Sequence, residues 1–298
     1  MNSKLSIREL RDLLGESSET VRDKRRSFIQ DPDPARLHEF RISVRASRSL
    51  ISLLRESFDS HTLADLRREG SRLSSLTSRP RNLDVLSEHW PAITEELDSK
   101  TLSHLVPAVN LVNRLRIETY NETITALDDS AAESFERLMR NLVKSPAPKV
   151  SADELVRKAL RRINRNIVDV ASSLSDRSAD EVLHDARKNL KKLRYSLEMT
   201  KSHFPRRQFD RVTTTVSDLQ AVLGRHHDAV TFSNELWSIA SQLAGQSFQT
   251  ETLVTVGMVL DPIEHVRRQS RRKSISKLRA YADPEFQNRF KKLAGAIE

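Results

Sequence analysis

The sequence predicts an all-α protein whose two halves derive from an internal repeat. Three observations carry that expectation. Apolar residues recur at helical spacing along almost the whole chain, and no segment alternates like a strand. The 298 residues include only six Gly and ten Pro, too few for a turn-rich β-sandwich. Six helices are expected on each side of Ser145-Pro146-Ala147-Pro148, the best linker candidate.

In chain order, helices are expected near 4–29, 33–57, 61–78, 81–98, 103–127 and 130–144, then near 151–175, 178–203, 206–223, 225–244, 251–280 and 284–296. Asp31-Pro32-Asp33-Pro34 punctuates the start of the second helix, Pro80 that of the fourth and Asp283-Pro284 that of the last. The expected organisation is a single domain, 1–298, with repeat halves 1–145 and 150–298 joined by a linker at 145–150. Leu37-His38-Glu39-Phe40-Arg41 returns 146 positions later as Leu183-His184-Asp185-Ala186-Arg187. Leu83-Asp84-Val85-Leu86 returns as His227-Asp228-Ala229-Val230, 144 positions on, while Ser134-Phe135-Glu136-Arg137 and Glu285-Phe286-Gln287-Asn288 align less well, at 151.

Composition bounds the function. A net charge of +9 and a pI near 9.9 point to an anionic partner. Residues 1–150 carry 24 basic and 23 acidic side chains and residues 151–298 carry 26 and 18, so placement matters more than totals. The absence of cysteine removes disulfides, thiolate metal sites and a Cys nucleophile. No run of 18 apolar residues and no apolar segment behind the N-terminus is present. A cytoplasmic protein with no membrane partner is therefore expected.

On a wheel of about 100° per residue, His38, Arg41, Arg45 and Arg48 fall within an arc of roughly 80°, with Arg55 at its edge. Phe40, Val44, Ile51 and Leu54 form a separate, core-facing arc. The second copy repeats the pattern as His184, Arg187, Lys191, Arg194 and Lys201, with Lys192 and Lys188 on the flank. Like charges stacked at these spacings repel. Glu39 and Asp185 point about 100° away from the stripes, although Asp84 and Asp228 are available for pairing from other helices. A stripe built twice and left largely unneutralised points to an external polyanion, gripped bidentately by Arg and as a point charge by Lys. A phosphate beside His38 or His184 would raise its pKa and favour the two-donor form.

At these residues the sequence resembles a known family. His38-x-x-Arg41-x-x-x-Arg45-x-x-Arg48 and His184-x-x-Arg187-x-x-x-Lys191-Lys192-x-Arg194-Tyr195 resemble the two signature helices of the CHAD domain, the conserved histidine α-helical domain. Arg81-Asn82-Leu83-Asp84-Val85 is similar to its Arg-Asp-x-Asp-Val segment. Leu219-Gln220-x-x-Leu223-Gly224-x-x-x-Asp228-Ala229 is similar to its second-half Leu-Gln…Leu-Gly…Asp-Ala segment. The resemblance implies two helical bundles related by pseudo-two-fold symmetry around a basic central cleft that binds inorganic polyphosphate. Ala46 and Asn82 depart from the family pattern, so the first stripe is expected to grip less strongly than the second. The Glu-x-Glu-x-Lys strand signature of the triphosphate-tunnel domains to which CHAD domains are sometimes fused is absent, and a stand-alone member is expected.

The expected function is non-catalytic: a polyphosphate clamp formed by His38, Arg41, Arg45, Arg48, Arg81, His184, Arg187, Lys191 and Arg194, needing no cofactor and no metal. Arg55, Arg72, Lys192, Lys201, Arg211 and Arg225 could extend the groove, as could Arg67 and Arg68. Phosphate or sulfate ions are expected to occupy the cleft, and association with polyphosphate granules is the expected consequence. A nucleic-acid binder is the alternative, through Arg161-Arg162 and Arg267-Arg268…Arg271-Arg272-Lys273, although two Trp and three Tyr offer few stacking platforms. A lesser alternative is a metal-dependent HD-type phosphohydrolase using His184, His227, Asp228 and Asp261. Adjacent His and Asp diverge on a helix, and the cations on the His184 helix disfavour a divalent ion.

Overall fold

The helices start where short polar side chains can take up orphan backbone donors. Ser6 and Glu9 form a reciprocal capping box before α1 (Ile7–Gln30). Asp33 accepts from the Arg36 backbone at 2.8 Å, and Pro34 opens α2 (Pro34–Leu53). Asp59 caps α3 (Ser60–Leu76), Asp98 the short α5 (Ser99–Ser103), Ser151 α8 (Ala152–Ser173) and Asp283 α12 (Pro284–Gly295). The remaining helices are α4 (Ser78–Ile93), α6 (Val106–Asp128), α7 (Ser130–Lys144), α9 (Asp180–Met199), α10 (Arg206–Ala244) and α11 (Thr250–Tyr281). This computed structural model describes residues 5–128, 130–144, 150–175, 177–244 and 250–297, and no strand occurs among them. The expected linker lies, from 145 to 149, outside the described residues.

Three differences from the expected elements have local causes. Pro80 does not precede α4 but occupies its first turn, where the missing N–H would have had no helical partner. The stretches 33–57 and 178–203 each end early as α-helix and continue as 3₁₀ turns at Arg55–Ser57 and Lys201–His203. The expected break near Gly224 is absent, and α10 runs unbroken for 39 residues. A lone glycine costs a helix about 1 kcal/mol relative to alanine. Burial of Leu219, Val222, Leu223, His226 and Ala229 on both sides of it outweighs that cost.

The apolar residues sort into two cores. The larger joins α1, α2, α3 and α7 to α8, α9, α12, the first half of α10 and the last turns of α11. The smaller is made by α4 and α6 packed on the second half of α10 and the first half of α11. Both cores draw on both halves of the chain, which the expected partition into one bundle per half does not contain. The helix–turn unit itself recurs closely. α2 and α9 are each 20 residues long, begin 146 positions apart, and lead into 3₁₀ turns at the same separation. These two helices pack directly against each other, which brings the two basic stripes to one place.

Candidate polyanion-binding site

Because Asp33 and Pro34 fix the start of α2, they also fix the phase at which its cations leave the helix. Leu37, Phe40, Val44, Leu50 and Ile51 are buried on one face. Arg41 and Arg48 lie half-buried on the other, held by neutral oxygens. Arg41 Nη1 donates to Thr77 Oγ1 at 2.7 Å, to the Ser74 carbonyl at 3.2 Å and to Ser78 Oγ at 3.4 Å. Arg48 Nη1 donates to Ser74 Oγ at 2.7 Å. Gly70 lets the Arg48 stem cross α3, since a Cβ there would meet Arg48 Cγ at 2.9 Å. The Arg45 side chain, between them, makes no hydrogen bond or ion pair among the described residues. Burial, with Arg45, Arg81 and Arg187 nearby, pulls Arg41 down to about 10. The nearby acid is turned away: Glu39 pairs with Lys24 at 2.7 Å.

The stripe on α9 is built differently. Leu183, Ala186, Leu190, Leu193 and Leu197 face the core. Arg187 approaches Asp228 at 3.9 Å, and Arg194 approaches Glu198 at 3.7 Å, with its Cζ 5.1 Å from the Tyr195 ring centroid. The Nε atoms of both arginines are buried without partners. Lys191 and Lys192 make no ion pair among the described residues. Burial above all, then Arg187, Arg45 and Arg41, pushes the Lys191 ammonium down to about 6. Asp185 is occupied by Lys188 at 2.6 Å. His184 sets its Nδ1 3.2 Å from that of His227, with ring centroids 4.8 Å apart. Burial and adjacent cations hold both imidazoles below their ordinary pKa, His227 at about 3. His38, at the solvent-facing rim, is lowered by desolvation and by Arg81, Arg45 and Arg41. In the unliganded protein these rings are neutral acceptors or single donors at pH 7.

Arg41, Arg45, Arg187 and Lys191 therefore face one another across the α2–α9 contact, close enough for each to depress the proton affinity of another. Beside them a groove of about 560 Å³ is lined by Arg45, Arg48, Lys188, Lys191 and Lys192, with Asp169 and Asp185 on its walls. Cations gathered from two helices, with few carboxylates among them, form a site for an anion carrying several charges.

The sequence of both helices lies within a family match. The CHAD domain model aligns with residues 12–237. The chain belongs to the CHAD domain family. Two uncharacterized proteins of Mycobacterium tuberculosis strains are each 26% identical over 234 residues, covering 73% of this chain and 43% of the relative. The chain thus spans less than half the length of those relatives. Two solved structures share the fold. The crystal structure of the CHAD domain from the plant Ricinus communis has a TM-score of 0.71 at 20% identity and covers 94% of this chain and 95% of its own. PptA from Streptomyces chartreusis has a TM-score of 0.73 at 14% identity, covering 92% and 98%.

Within this CHAD domain the other expected residues scatter. Arg81 is brought near Arg41 and His38, but its guanidinium is paired with Glu88 at 3.0 Å. Lys192 joins the groove with Arg48 and Lys188 around it. Arg72 is taken by Glu69 at 3.1 Å, and Arg68 by Asp65 and Glu69. Arg55 is exposed near Arg162, on the side facing α8. Lys201 lies over the Phe209 ring, 5.7 Å from its centroid and beside another cavity. Arg211 and Arg225 are exposed on α10 and do not line the groove. Asp84, available in the sequence for pairing with a stripe, is instead fully buried under Arg116 and the Tyr120 hydroxyl. Asn82 faces the half-buried Glu235, where an aspartate would set two carboxylates together.

The groups of the metal-hydrolase alternative do not converge. His184 and His227 meet, Asp228 turns to Arg187 and Asp261 is exposed on α11. Among the described residues no group of three His, Cys, Asp or Glu side chains is placed to hold a metal ion. No described helix is long and apolar enough to cross a membrane. Gly70, Ser74, Thr77 and Ser78 are the site residues that sequence reasoning missed. Small and hydroxyl residues in helices carry no signal until a guanidinium is seen resting on them.

Proposed function

We propose that this domain holds inorganic polyphosphate in the groove between α2 and α9 and does no chemistry on it. The observation that carries the reading is the cluster of Arg41, Arg45 and Lys191, half-buried basic side chains from two helices with no carboxylate within ion-pair distance among the described residues, crowded enough that Lys191 gives up its proton near neutrality. Keeping such a cluster desolvated and unneutralised destabilises the free protein. An anion with a charge on every unit and no bulky substituent relieves that cost along the length of the stripes. Arg41, Arg48 and Arg187 would grip phosphate oxygens, with Lys191 and Lys192 as point charges and His38 and His184 as donors at the edge. From His38 to Arg48 the helix covers roughly 15 Å, room for several consecutive phosphates. Free phosphate or sulfate would occupy the same positions. In a cell such binding would place the protein in the cytoplasm, on polyphosphate granules.

The test is equilibrium binding to a polyphosphate length series at several salt concentrations, using the chain and its Arg41→Glu/Arg187→Glu variant. Affinity should rise with chain length, fall steeply with salt through counterion release, and drop by more than about 100-fold in the variant, since each charge-assisted hydrogen bond contributes about 1.5–3 kcal/mol. Retained affinity in a folded variant would overturn the assignment. Equal or tighter binding of RNA or duplex DNA, at matched phosphate concentration and physiological salt, would make this a nucleic-acid binder instead. Phosphate release abolished by His227→Ala would reveal an enzyme.

A further inference from the structure

A second set of arginines lies on α11, away from the α2–α9 contact and beyond the residues matched by the family model. Between Glu264 and Asp283 the chain has seven basic residues and no acidic one, so a carboxylate stands at i,i+4 spacing only at the two ends of the run, Glu264 before Arg268 and Asp283 after Arg279. Two of the seven are committed to the fold. Arg267 donates to Asp180 and Glu264, and Arg271 donates to Asp180 at 2.6 Å and to the Ser178 carbonyl. Asp180 is thereby saturated, and it also receives His226 at 3.1 Å. Glu264, one turn before Arg268, is occupied by Ser233 and Arg267.

Of the other five, Lys273 and Lys277 point to a different side of the helix, Arg268 and Arg272 are exposed with no partner among the described residues, and Arg279 is exposed with a 3.5 Å bond to the Leu174 carbonyl. At about 100° per residue these three and Ser276 fall within an arc of roughly 80°. They border a groove of about 510 Å³ floored by Ile275 and walled by Arg271. From Arg268 to Arg279 the stripe covers roughly 16 Å of helix.

We propose that this α11 groove is a second, weaker station for a polyphosphate chain, so that one molecule holds two chains or two stretches of one. The ligand class rests on the polyphosphate reading of the central groove, whereas the site rests on the α11 arginines alone. The lining favours a bare phosphate chain over nucleic acid. It offers guanidinium forks, one hydroxyl and one aliphatic side chain, with no ring for a base to stack on and no amide or carboxylate to read a base edge. Two stations on one rigid protein would also give avidity for long chains without a new contact.

The experiment counts sites. A short polyphosphate of uniform length is titrated into the full chain, the Arg268→Gln/Arg272→Gln/Arg279→Gln variant and the Arg41→Glu/Arg187→Glu variant. The parent should show two classes of site, the weaker with a salt slope of roughly −2, as three released counterions require on a single-stranded polyanion. The triple variant should keep the tight class and weaken the other at least tenfold, and the double variant should do the reverse. Arg272→Glu alone, in mid-stripe, should weaken the same class if the triple variant folds poorly by helicity and thermal midpoint. With long chains the parent should cross-link into light-scattering complexes and the triple variant should not. Two unchanged classes in the triple variant, or a single class in the parent, would overturn the second station and leave the central reading standing. Two unchanged classes in the double variant would overturn the central reading and leave the α11 site. Tighter binding of single-stranded RNA at the weaker class, at matched phosphate and salt, would overturn polyphosphate as its ligand.

Discussion

The stripes on α2 and α9 have nearly the same sequence spacing and opposite electrostatic design. On α2, Arg41 and Arg48 are held by hydroxyls and a carbonyl of α3 and its C-terminal junction with α4, so they are oriented without being neutralised. On α9, Arg187 and Arg194 stand near Asp228 and Glu198, and the intervening Lys191 is buried deeply enough to lose its proton near neutrality. The first stripe is a fixed positive surface. The second becomes fully charged only when something anionic enters. Nearby acids bear on α9 rather than α2, whereas desolvation bears on both stripes.

The sharpest way to break this comparison is to reverse a charge on each side. Arg45→Glu removes the unpaired cation that faces both helices and should weaken polyphosphate binding roughly 10- to 100-fold. Arg194→Glu, whose parent side chain already approaches Glu198, should cost only a few-fold. Equal losses measured at one salt concentration would show that the two stripes are electrostatically equivalent.

The next effect depends on pH. Free Lys191 titrates near 6, against an ordinary 10.5, with Arg187 on its own helix, Arg41 and Arg45 on α2, and Asp228 on α10 around it. Above pH 6 the unliganded site is largely neutral there, and a bound anion favours the ammonium form, so binding takes up a proton. Affinity should therefore fall as pH rises from about 6 toward 10, by up to about tenfold per unit. Stability of the free protein should move the other way, since between these values the unfolded chain holds a proton that the native site does not. Lys191→Gln should flatten both profiles in titrations at constant ionic strength and in pH-dependent denaturation. An unchanged slope in that variant would place the coupled proton elsewhere.

Much of this contrast could not be read before the fold was known. Apolar periodicity located the helices because each must bury one face, and Asp33-Pro34 and Asp283-Pro284 marked the starts of α2 and α12. The duplicated His and Arg positions exposed both stripes for the same reason: their phase on a helix follows from spacing alone. Periodicity is silent about which hairpin faces which, so the core shared by α4, α6, α10 and α11 stayed hidden, and so did the continuity of α10 through Gly224. Partners were harder still. Asp84 reads as a ready acid for the stripe, yet buried depth commits it to Arg116 and Tyr120, while Asp228 does stand beside Arg187.

Asp228 offers a test of smaller size. Burial raises its pKa and Arg187, Lys191, His89 and Arg81 lower it, so it is an acid placed among the cations that a ligand would use. Asp228→Asn should tighten polyphosphate binding by roughly three- to tenfold, since the ligand no longer competes with a resident charge, and should lower the thermal midpoint, since Arg187 loses the counter-charge 3.9 Å away. A gain of affinity together with a loss of stability distinguishes a competing charge from a supporting one. Weaker binding would mean that Asp228 positions Arg187 for the ligand.

The smallest effect probes how α2 differs from α9 in geometry rather than charge. Thr77→Val removes the 2.7 Å partner of Arg41 Nη1 and leaves every charge in place. A neutral hydrogen bond of this kind contributes about 0.5–1.5 kcal/mol, so binding should weaken by roughly two- to tenfold. The salt slope should not change, because the number of phosphates neutralised is the same. Thr77→Ser, which restores the hydroxyl, should restore the affinity. If Thr77→Val lowers the salt slope as well, the guanidinium has left the site altogether, and orientation and charge on α2 are then one property rather than two.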